Sequence, residues 1–170
     1  MIDFKQLRVL MADNTERLRR LASGIAPGQA GWKPALDSWS VLEVVNHLYD
    51  EEREDFRVRL DIILHRPEAD WPPIDPMGWV TARKYNERDL AESLDNFLAE
   101  RRASFGWLDG LGEPDWEASV TSRFGTMRAG DMFAAWVAHD MLHLRQLVEL
   151  HYLYTRERVQ PYEVGYAGDW

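Results

Sequence analysis

Residues 136–146 read WVAHDMLHLRQ, and within this stretch His139 and His143 lie four residues apart. On a helix the two imidazole rings would fall about 40° apart on one face. The same face carries the large apolar residues Met132, Trp136, Leu147 and Leu150. Because a buried imidazole needs partners for its ring nitrogens, two histidines one turn apart in an apolar stripe indicate a shared metal ion. Core histidines that bind backbone or carboxylate groups are the alternative.

The composition is that of a globular protein, and the length of 170 residues predicts one domain spanning residues 1–170. The net charge of −9 without a basic cluster argues against nucleic acid or an anionic membrane as the partner. The absence of cysteine excludes disulfides, cysteine-based zinc sites and a thiol nucleophile. We expect a cytoplasmic location, because no run resembles a signal peptide or approaches the roughly 18 apolar residues of a membrane span.

Four amphipathic segments predict an all-α fold, a helical bundle. Their approximate limits are 3–23, 40–65, 86–108 and 130–156. Ser40 and Glu43 form a capping-box pattern at the start of the second helix. The loop from Pro67 to Gly78 is longer than a bundle connection needs, which predicts that it covers a cleft. A short extended pair is predicted within 118–127, around Gly125.

An open metal site needs a third protein ligand beside His139 and His143. His65 lies about 27 Å from His47 along the same helix, so the two cannot bind one ion. His151 lies about 12 Å beyond His143, also out of reach. His47 is the histidine that remains, but it falls to one side of the apolar face of the second helix. Periodicity predicts a partly exposed surface histidine there, so a ligand and a surface residue both stay open.

Two motifs resemble those of the DinB-like, or YfiT-like, superfamily of metalloenzymes. Residues 39–52, WSVLEVVNHLYDEE, resemble its tryptophan–serine opening of the second helix followed by its first histidine. Residues 139–146, HDMLHLRQ, resemble its closing His-x-x-x-His-x-x-Gln motif. The order and separation of the motifs and the chain length also agree. Many members carry a second histidine beside the last ligand, where this chain has Leu142 and Leu144, which would change the surroundings of the site.

The resemblance implies an up-down-down-up four-helix bundle, commonly dimeric, in which His47, His139 and His143 hold a divalent ion. Zinc and nickel are the expected metals, with iron and manganese as alternatives. Because such an ion lowers the pKa of a bound water or thiol, the site suits hydrolysis or thiol transfer. The expected enzyme is a hydrolase or S-transferase acting on a small molecule, using a low-molecular-weight thiol such as bacillithiol or mycothiol in the second case.

Two further functions are alternatives to the enzyme. The first is a non-catalytic bundle that binds a metal or a small molecule, which four ligands without an open position would favour. The second is a metal-free interaction protein whose histidines are core residues.

Two residues one turn from the histidines are candidates for roles at the site. Glu51 is a candidate fourth ligand, general base or hydrogen-bond partner, or else a member of a solvated acidic face. Gln146 is a candidate hydrogen-bond partner of a ligand or substrate, or else a cap of the core edge. Asp140 is assigned no role. The tryptophans expected in core packing rather than in a pocket are Trp71, Trp79 and Trp136.

Overall fold

The computed structural model describes residues 3–122 and 125–168, and it is mainly helical. Its α-helices are α1 (Phe4–Ala22), α2 (Pro27–Ala30), α3 (Val41–Glu51), α4 (Arg57–His65), α5 (Pro76–Ala82), α6 (Leu90–Gly110) and α7 (Ala129–Arg158). A π-helical turn, Glu52–Phe56, joins α3 directly to α4. Strands β1 (Ser119–Ser122) and β2 (Gly125–Arg128) pair antiparallel before α7. Within these residues, none of the helices combines the length and apolar character that a membrane crossing requires.

The first and last long helices, α1 and α7, run parallel. Near their beginnings the rings of Phe4 and Phe133 stack with centroids 6.3 Å apart. Further along both helices, His151 Nε2 donates a hydrogen bond to the Leu21 carbonyl at 2.7 Å. These two contacts fix both the direction and the axial register of the pair.

The two middle segments, α3–α4 and α6, run parallel to each other and opposite to α1. Asn46 donates to Ser93 Oγ at 3.0 Å, and Arg57 donates to Ser104 Oγ at 3.1 Å. A salt bridge joins the first half of α1 to the last turn of α6, which sets these two helices antiparallel. The predicted up-down-down-up four-helix bundle is therefore confirmed.

Side-chain caps begin α1, α3 and α6, where the sequence places short polar residues. Asp3 starts α1 and Asp89 starts α6, each through a side-chain oxygen that accepts a backbone N–H. The predicted capping box of α3 is confirmed: Ser40 Oγ accepts the Glu43 N–H, and Glu43 Oε2 accepts the Ser40 N–H. The third long helix begins later than the predicted residue 86, because residues 85–87 form a separate 3₁₀ turn.

The second long segment differs from the continuous α-helix that its apolar period predicts. Its π-helical turn takes an extra residue into one turn, and π turns occur frequently at functional sites. Glu52, Asp55 and Phe56 of this turn are buried. The predicted extended pair before α7 is confirmed as the β1–β2 hairpin.

The core consists of two apolar clusters at different heights of the bundle. The upper cluster includes Leu18, Val44, Leu48, Phe97, Leu144 and Leu147. The lower cluster includes Met11, Phe56, Leu60, Phe133, Trp136 and Val137. The polar layer between them includes the buried side chains of Asn14, His47, Glu51, Glu52, Arg101, Asp140 and His143. The bundle therefore places its buried polar and ionisable side chains at mid-height, with apolar packing above and below them.

Candidate metal centre

Three histidines from two helices meet at the polar layer. Helix α3 carries His47, and α7 carries His139 and His143. His139 Nε2 lies 3.4 Å from His47 Nε2 and 3.1 Å from His143 Nε2. One ring nitrogen of each residue lies within 4.8 Å of those of the other two. The three rings thus direct donor nitrogens toward a common point.

The apolar stripe predicted around the α7 histidines is buried as expected. Its buried members are Met132, Trp136, Leu147 and Leu150. Because α7 is helical throughout this stretch, the four-residue spacing brings the rings of His139 and His143 together with centroids 4.4 Å apart. The sequence argument for this pair therefore holds in the fold.

The surface interpretation of His47 is wrong, because its side chain is only 5% exposed. Helix α3 contacts α5, α6 and α7, and ten of its 11 residues are buried. Among them are the polar residues Glu43, Asn46 and Asp50. The period of apolar residues marks only one face of a helix. It therefore underestimates the number of buried residues in a helix that is enclosed on nearly every side.

The histidines are held in the neutral form. Burial lowers the pKa of His47 to about 2 and that of His139 to about 3, and the neighbouring rings add to both effects. Burial also lowers the pKa of His143, against a hydrogen bond to Gln146 that raises it. All three imidazoles are consequently neutral at physiological pH, which is the form that binds metal ions.

The nitrogen spacing fits a tetrahedral metal site. With metal–nitrogen bonds of about 2.1 Å, tetrahedral geometry separates two donor nitrogens by about 3.4 Å. The observed Nε2 separations are 3.1 and 3.4 Å. In addition, His143 Nδ1 donates to Gln146 Oε1 at 2.8 Å, so the neutral ring has no proton at Nε2. These donors suit several divalent metals, among which imidazole alone does not discriminate.

The two remaining histidines lie away from this cluster. His65, at the end of α4, pairs with Asp61 at 2.8 Å and is half exposed. His151 binds the Leu21 carbonyl and the Gln29 side chain. Both therefore have partners of their own, in agreement with their predicted distance from the site.

Gln146 and Glu51 contact the histidines on the ring nitrogens that face away from the cluster. The hydrogen bond from His143 Nδ1 assigns Gln146 a contact with a candidate ligand. Glu51 Oε1 lies 3.8 Å from His47 Nδ1. The Glu51 side chain is buried, so the interpretation of this residue as a member of a solvated acidic face is wrong. Burial raises its pKa to about 8, and the nearby Asp55 carboxyl adds to the effect.

A cleft of about 500 Å³ lies beside the histidines. Its lining residues are Pro34, Asp37, Ser38, Trp39, Met77, Gln146, Glu149, Leu150 and Leu153. The Trp39 ring lies 4.8 Å from the His47 ring and stacks parallel to the His143 ring at 6.3 Å. Trp39 and Gln146 therefore belong both to the cleft wall and to the immediate surroundings of the candidate ligands.

The sequence matches a known family, and the fold matches a solved structure. The family model of the DinB superfamily matches residues 10–147. The chain belongs to the DinB superfamily. Its fold is similar to that of YfiT from Bacillus subtilis, with a TM-score of 0.75 and 16% sequence identity, covering 86% of this chain and 84% of that chain. YfiT is described as a probable metal-dependent hydrolase with an unusual four-helix bundle topology. No curated protein matches the sequence significantly.

In this DinB superfamily member a chain of polar side chains runs from the site to the loop before α5. The Asp55 carboxyl is the neighbour that helps to raise the pKa of Glu51, and Asp55 pairs with Arg59 at 2.6 Å. The Arg59 guanidinium lies 4.8 Å from the Trp71 ring and donates to the Pro72 carbonyl. The loop is thus anchored to the helical segment that carries His47.

A buried ion network, which the sequence reasoning missed, joins three helical segments below the histidines. Arg101 of α6 donates twice to Asp140 of α7, with both distances 2.8 Å. Its Nε also lies 2.9 Å from Glu52 Oε1, and Trp136 Nε1 donates to Glu52 Oε2 at 3.0 Å. Asp140, for which the sequence predicts no role, thus fixes α7 directly beside His139.

Two signals in the sequence indicate this network. Arg101 continues the apolar row formed by Leu94 and Phe97, since it follows Phe97 by one helical turn. Glu52 continues the row of Val45 and Leu48 in the same way. A lone charge at an apolar position predicts a buried partner, because an unpaired buried charge is costly. Because Arg101 and Glu52 have opposite charges, each is a candidate ion-pair partner for the other.

The Pro67–Gly78 loop is predicted to cover a cleft, but only one of its residues contributes to the cleft lining. Met77 lines the cleft, whereas Trp71 packs on the lower cluster as expected. Trp136 is a core residue, and Trp79 lies under the Arg83 guanidinium at 4.1 Å. A second, larger cavity of about 570 Å³ lies between the end of α1 and the start of α6. Its lining includes neither Trp39 nor Gln146, the two residues that join the cleft to the histidines.

Proposed function

We propose that this DinB superfamily member is a metal-dependent enzyme that binds a divalent ion through His47, His139 and His143 and acts on a small molecule. The observation that carries the proposal is the convergence of three neutral imidazole nitrogens inside the bundle, with His139 at tetrahedral spacing from both His47 and His143. The description of YfiT as a probable metal-dependent hydrolase supports it. Zinc and nickel are the metals we favour, ahead of iron and manganese.

Around such an ion the protein's own side chains would hold the ligands in place. Gln146 fixes the ring of His143 through Nδ1, and Glu51 faces Nδ1 of His47. The ion would act as a Lewis acid and lower the pKa of a bound water or thiol. Trp39 and the apolar part of the cleft would hold the substrate beside the histidines and exclude water.

The position of Glu51 favours an enzyme over a closed structural site. A fourth protein ligand would remove the open position that catalysis needs. Glu51 lies on the Nδ1 side of His47, whereas the cluster is formed by the Nε2 atoms. Three protein donors therefore converge within the described residues, which supports the enzyme over the non-catalytic alternative.

Hydrolysis and thiol transfer are the two reactions that this centre supports. We propose hydrolysis as the first, because a structural relative is described as a probable hydrolase. Transfer to a low-molecular-weight thiol is the second, since the same ion would hold a thiol as its thiolate. Turnover that begins only when a thiol is added would distinguish the second reaction from the first.

We also propose a cytoplasmic homodimer. The cysteine-free composition is consistent with a reducing compartment. Helix α7 exposes the apolar side chains Met141, Leu142 and Val148 on the side away from the core. A second copy would remove this surface from water. Sedimentation equilibrium measures the resulting mass directly.

The metal proposal is tested by measuring metal content in untagged protein that has never met a metal-affinity column. We expect about one equivalent of metal in the parent and none in His47→Ala or His139→Ala, because two imidazoles bind a divalent ion far more weakly than three. The matched control is His65→Ala, which removes an exposed histidine outside the site and should keep the metal. Circular dichroism of each variant verifies that it is folded.

His47→Ala is the decisive variant, because only this ligand comes from a second helix. Stoichiometric metal retained in that variant would show that His47 is not a ligand. A parent protein that takes up neither zinc nor nickel would overturn the enzyme proposal and make the histidines structural.

A further inference from the structure

The cleft beside the histidines carries negative charge without a compensating cation. Asp37 and Glu149 both line it, and none of its described lining residues is Lys, Arg or His. Asp37 is exposed and Glu149 is half-buried, and within the described part of the chain neither carboxylate has a hydrogen-bonded or ion-pair partner in the protein. Two carboxylates in one cleft repel an anion and attract a cation.

The remaining lining gives the cleft a polar end and an apolar wall. On α7 the residues Gln146, Leu150 and Leu153 follow His143 on one helix face, at intervals of three and four residues. Trp39 adds an aromatic ring to the lining. Glu149 lies six residues after His143, about 9 Å further along the helix axis. A small molecule can span that distance.

We propose that this cleft binds a primary amine attached to an apolar or aromatic group, with the ammonium at Asp37 and Glu149. The apolar group would lie on Trp39, Leu150 and Leu153. The Trp39 ring can also attract the ammonium group, since a cation is stabilised over an aromatic face. The inference rests on the proposed function, since it places the reacting group of the substrate at the histidine end. It also excludes an anionic thiol from this cleft as the preferred second substrate.

The test compares three probes of one size in the purified protein by calorimetry: 2-phenylethylamine, 2-phenylethanol and phenylacetate. We expect the amine to bind about tenfold more tightly than the alcohol, because two partly exposed ion pairs each contribute modestly, and phenylacetate to bind most weakly. Glu149→Gln and Asp37→Asn should each reduce the preference for the amine over the alcohol while leaving the affinity for the alcohol unchanged. Glu157→Gln, an exposed position further along α7, is the matched control.

Three results would overturn the inference. They are a parent that does not bind the amine, a parent that binds phenylacetate as well as the amine, and a preference that persists in the double variant Asp37→Asn/Glu149→Gln. Metal content measured in the same samples separates this inference from the proposed function. Amine selectivity without metal would leave the cleft assignment standing and reject the enzyme. Metal binding without amine selectivity would leave the metal proposal standing and reject the cleft assignment.

Discussion

His143 illustrates how single contacts prepare an imidazole for metal binding. Its Nδ1 donates to Gln146 Oε1 at 2.8 Å, and its Nε2 faces His139 Nε2 at 3.1 Å. Because a neutral imidazole carries one proton, the amide oxygen selects the tautomer with a free Nε2 lone pair. The hydrogen bond also fixes the ring orientation, which supports Gln146 as a positioning residue for the proposed metal site.

Gln146→Ala should therefore weaken metal binding without unfolding the protein. Loss of such a partner of a ligand typically costs about 10-fold to 100-fold in metal affinity, because the ring is free to rotate and to change tautomer. Competition with a chromophoric chelator measures the change. Gln146→Glu, which keeps an acceptor oxygen, should retain most of the affinity, and the exposed neighbour Arg145→Ala is the control. Equal affinity in Gln146→Ala and the parent would remove Gln146 from the site.

At the level of elements, the buried ion network sets α6, α7 and the π-helical turn in register. Arg101 is 1% exposed, and its two carboxylate partners, Asp140 and Glu52, are as deeply buried. Burial raises the pKa of Glu52, but the Arg101 guanidinium and the Trp136 N–H oppose that effect. Because the guanidinium has a planar fork, it holds the Asp140 carboxylate in one orientation. The network thereby positions the α7 turn that carries His139.

Arg101→Met should destabilise the protein by about 3–5 kcal/mol, because it leaves two carboxylates buried without their cation. The midpoint of urea unfolding at constant m-value measures this change. Arg102→Met is a matched control, since the next residue on α6 is exposed, and it should stay within about 0.5 kcal/mol of the parent. If the two variants unfold at similar urea concentrations, the network does not support the fold as we infer.

At the scale of the whole molecule, stability depends on keeping the three histidines neutral. Unfolded histidine has a pKa of about 6.5, whereas folded His139 has a pKa of about 3. The unfolded chain therefore binds more protons than the folded chain between these values. The stability contributed by the neutral folded ring is fully present above pH 6.5 and is lost as the pH falls from 6.5 toward 3. Glu51, whose folded pKa is raised, acts in the opposite sense.

Metal-free protein should accordingly lose stability on acidification more steeply than its His139→Gln variant. The difference in slope between pH 6 and 4.5 should approach about 1.4 kcal/mol per pH unit, the value for one proton. Comparing the two proteins cancels the contribution of Glu51, which both retain. Urea unfolding in the presence of a chelator provides the curves. Parallel curves would mean that His139 is protonated as easily in the folded protein as in the unfolded chain.

Much of the fold and part of the site could be read from the sequence. The four helical segments, the Ser40 capping box and the shared apolar face of His139 and His143 depend on residues close in sequence. His47 depends on contacts with α5, α6 and α7, which its own period does not record. Only the motif resemblance predicts His47 as a metal ligand. Arg101 and Glu52 each carry a signal, but their pairing becomes visible only when the two helices lie side by side.

The sequence by itself determined the helical segments, the spacing of the α7 histidines and the absence of cysteine chemistry, because local periodicity and composition specify these properties. Only the tertiary structure decided that His47 meets the other two, that Trp39 rather than Trp71 lines the cleft, and that the polar layer lies between two apolar clusters. These features join residues about 40 to 130 positions apart along the chain. Packing of parallel and antiparallel helices brings such residues together, and no local pattern encodes that packing.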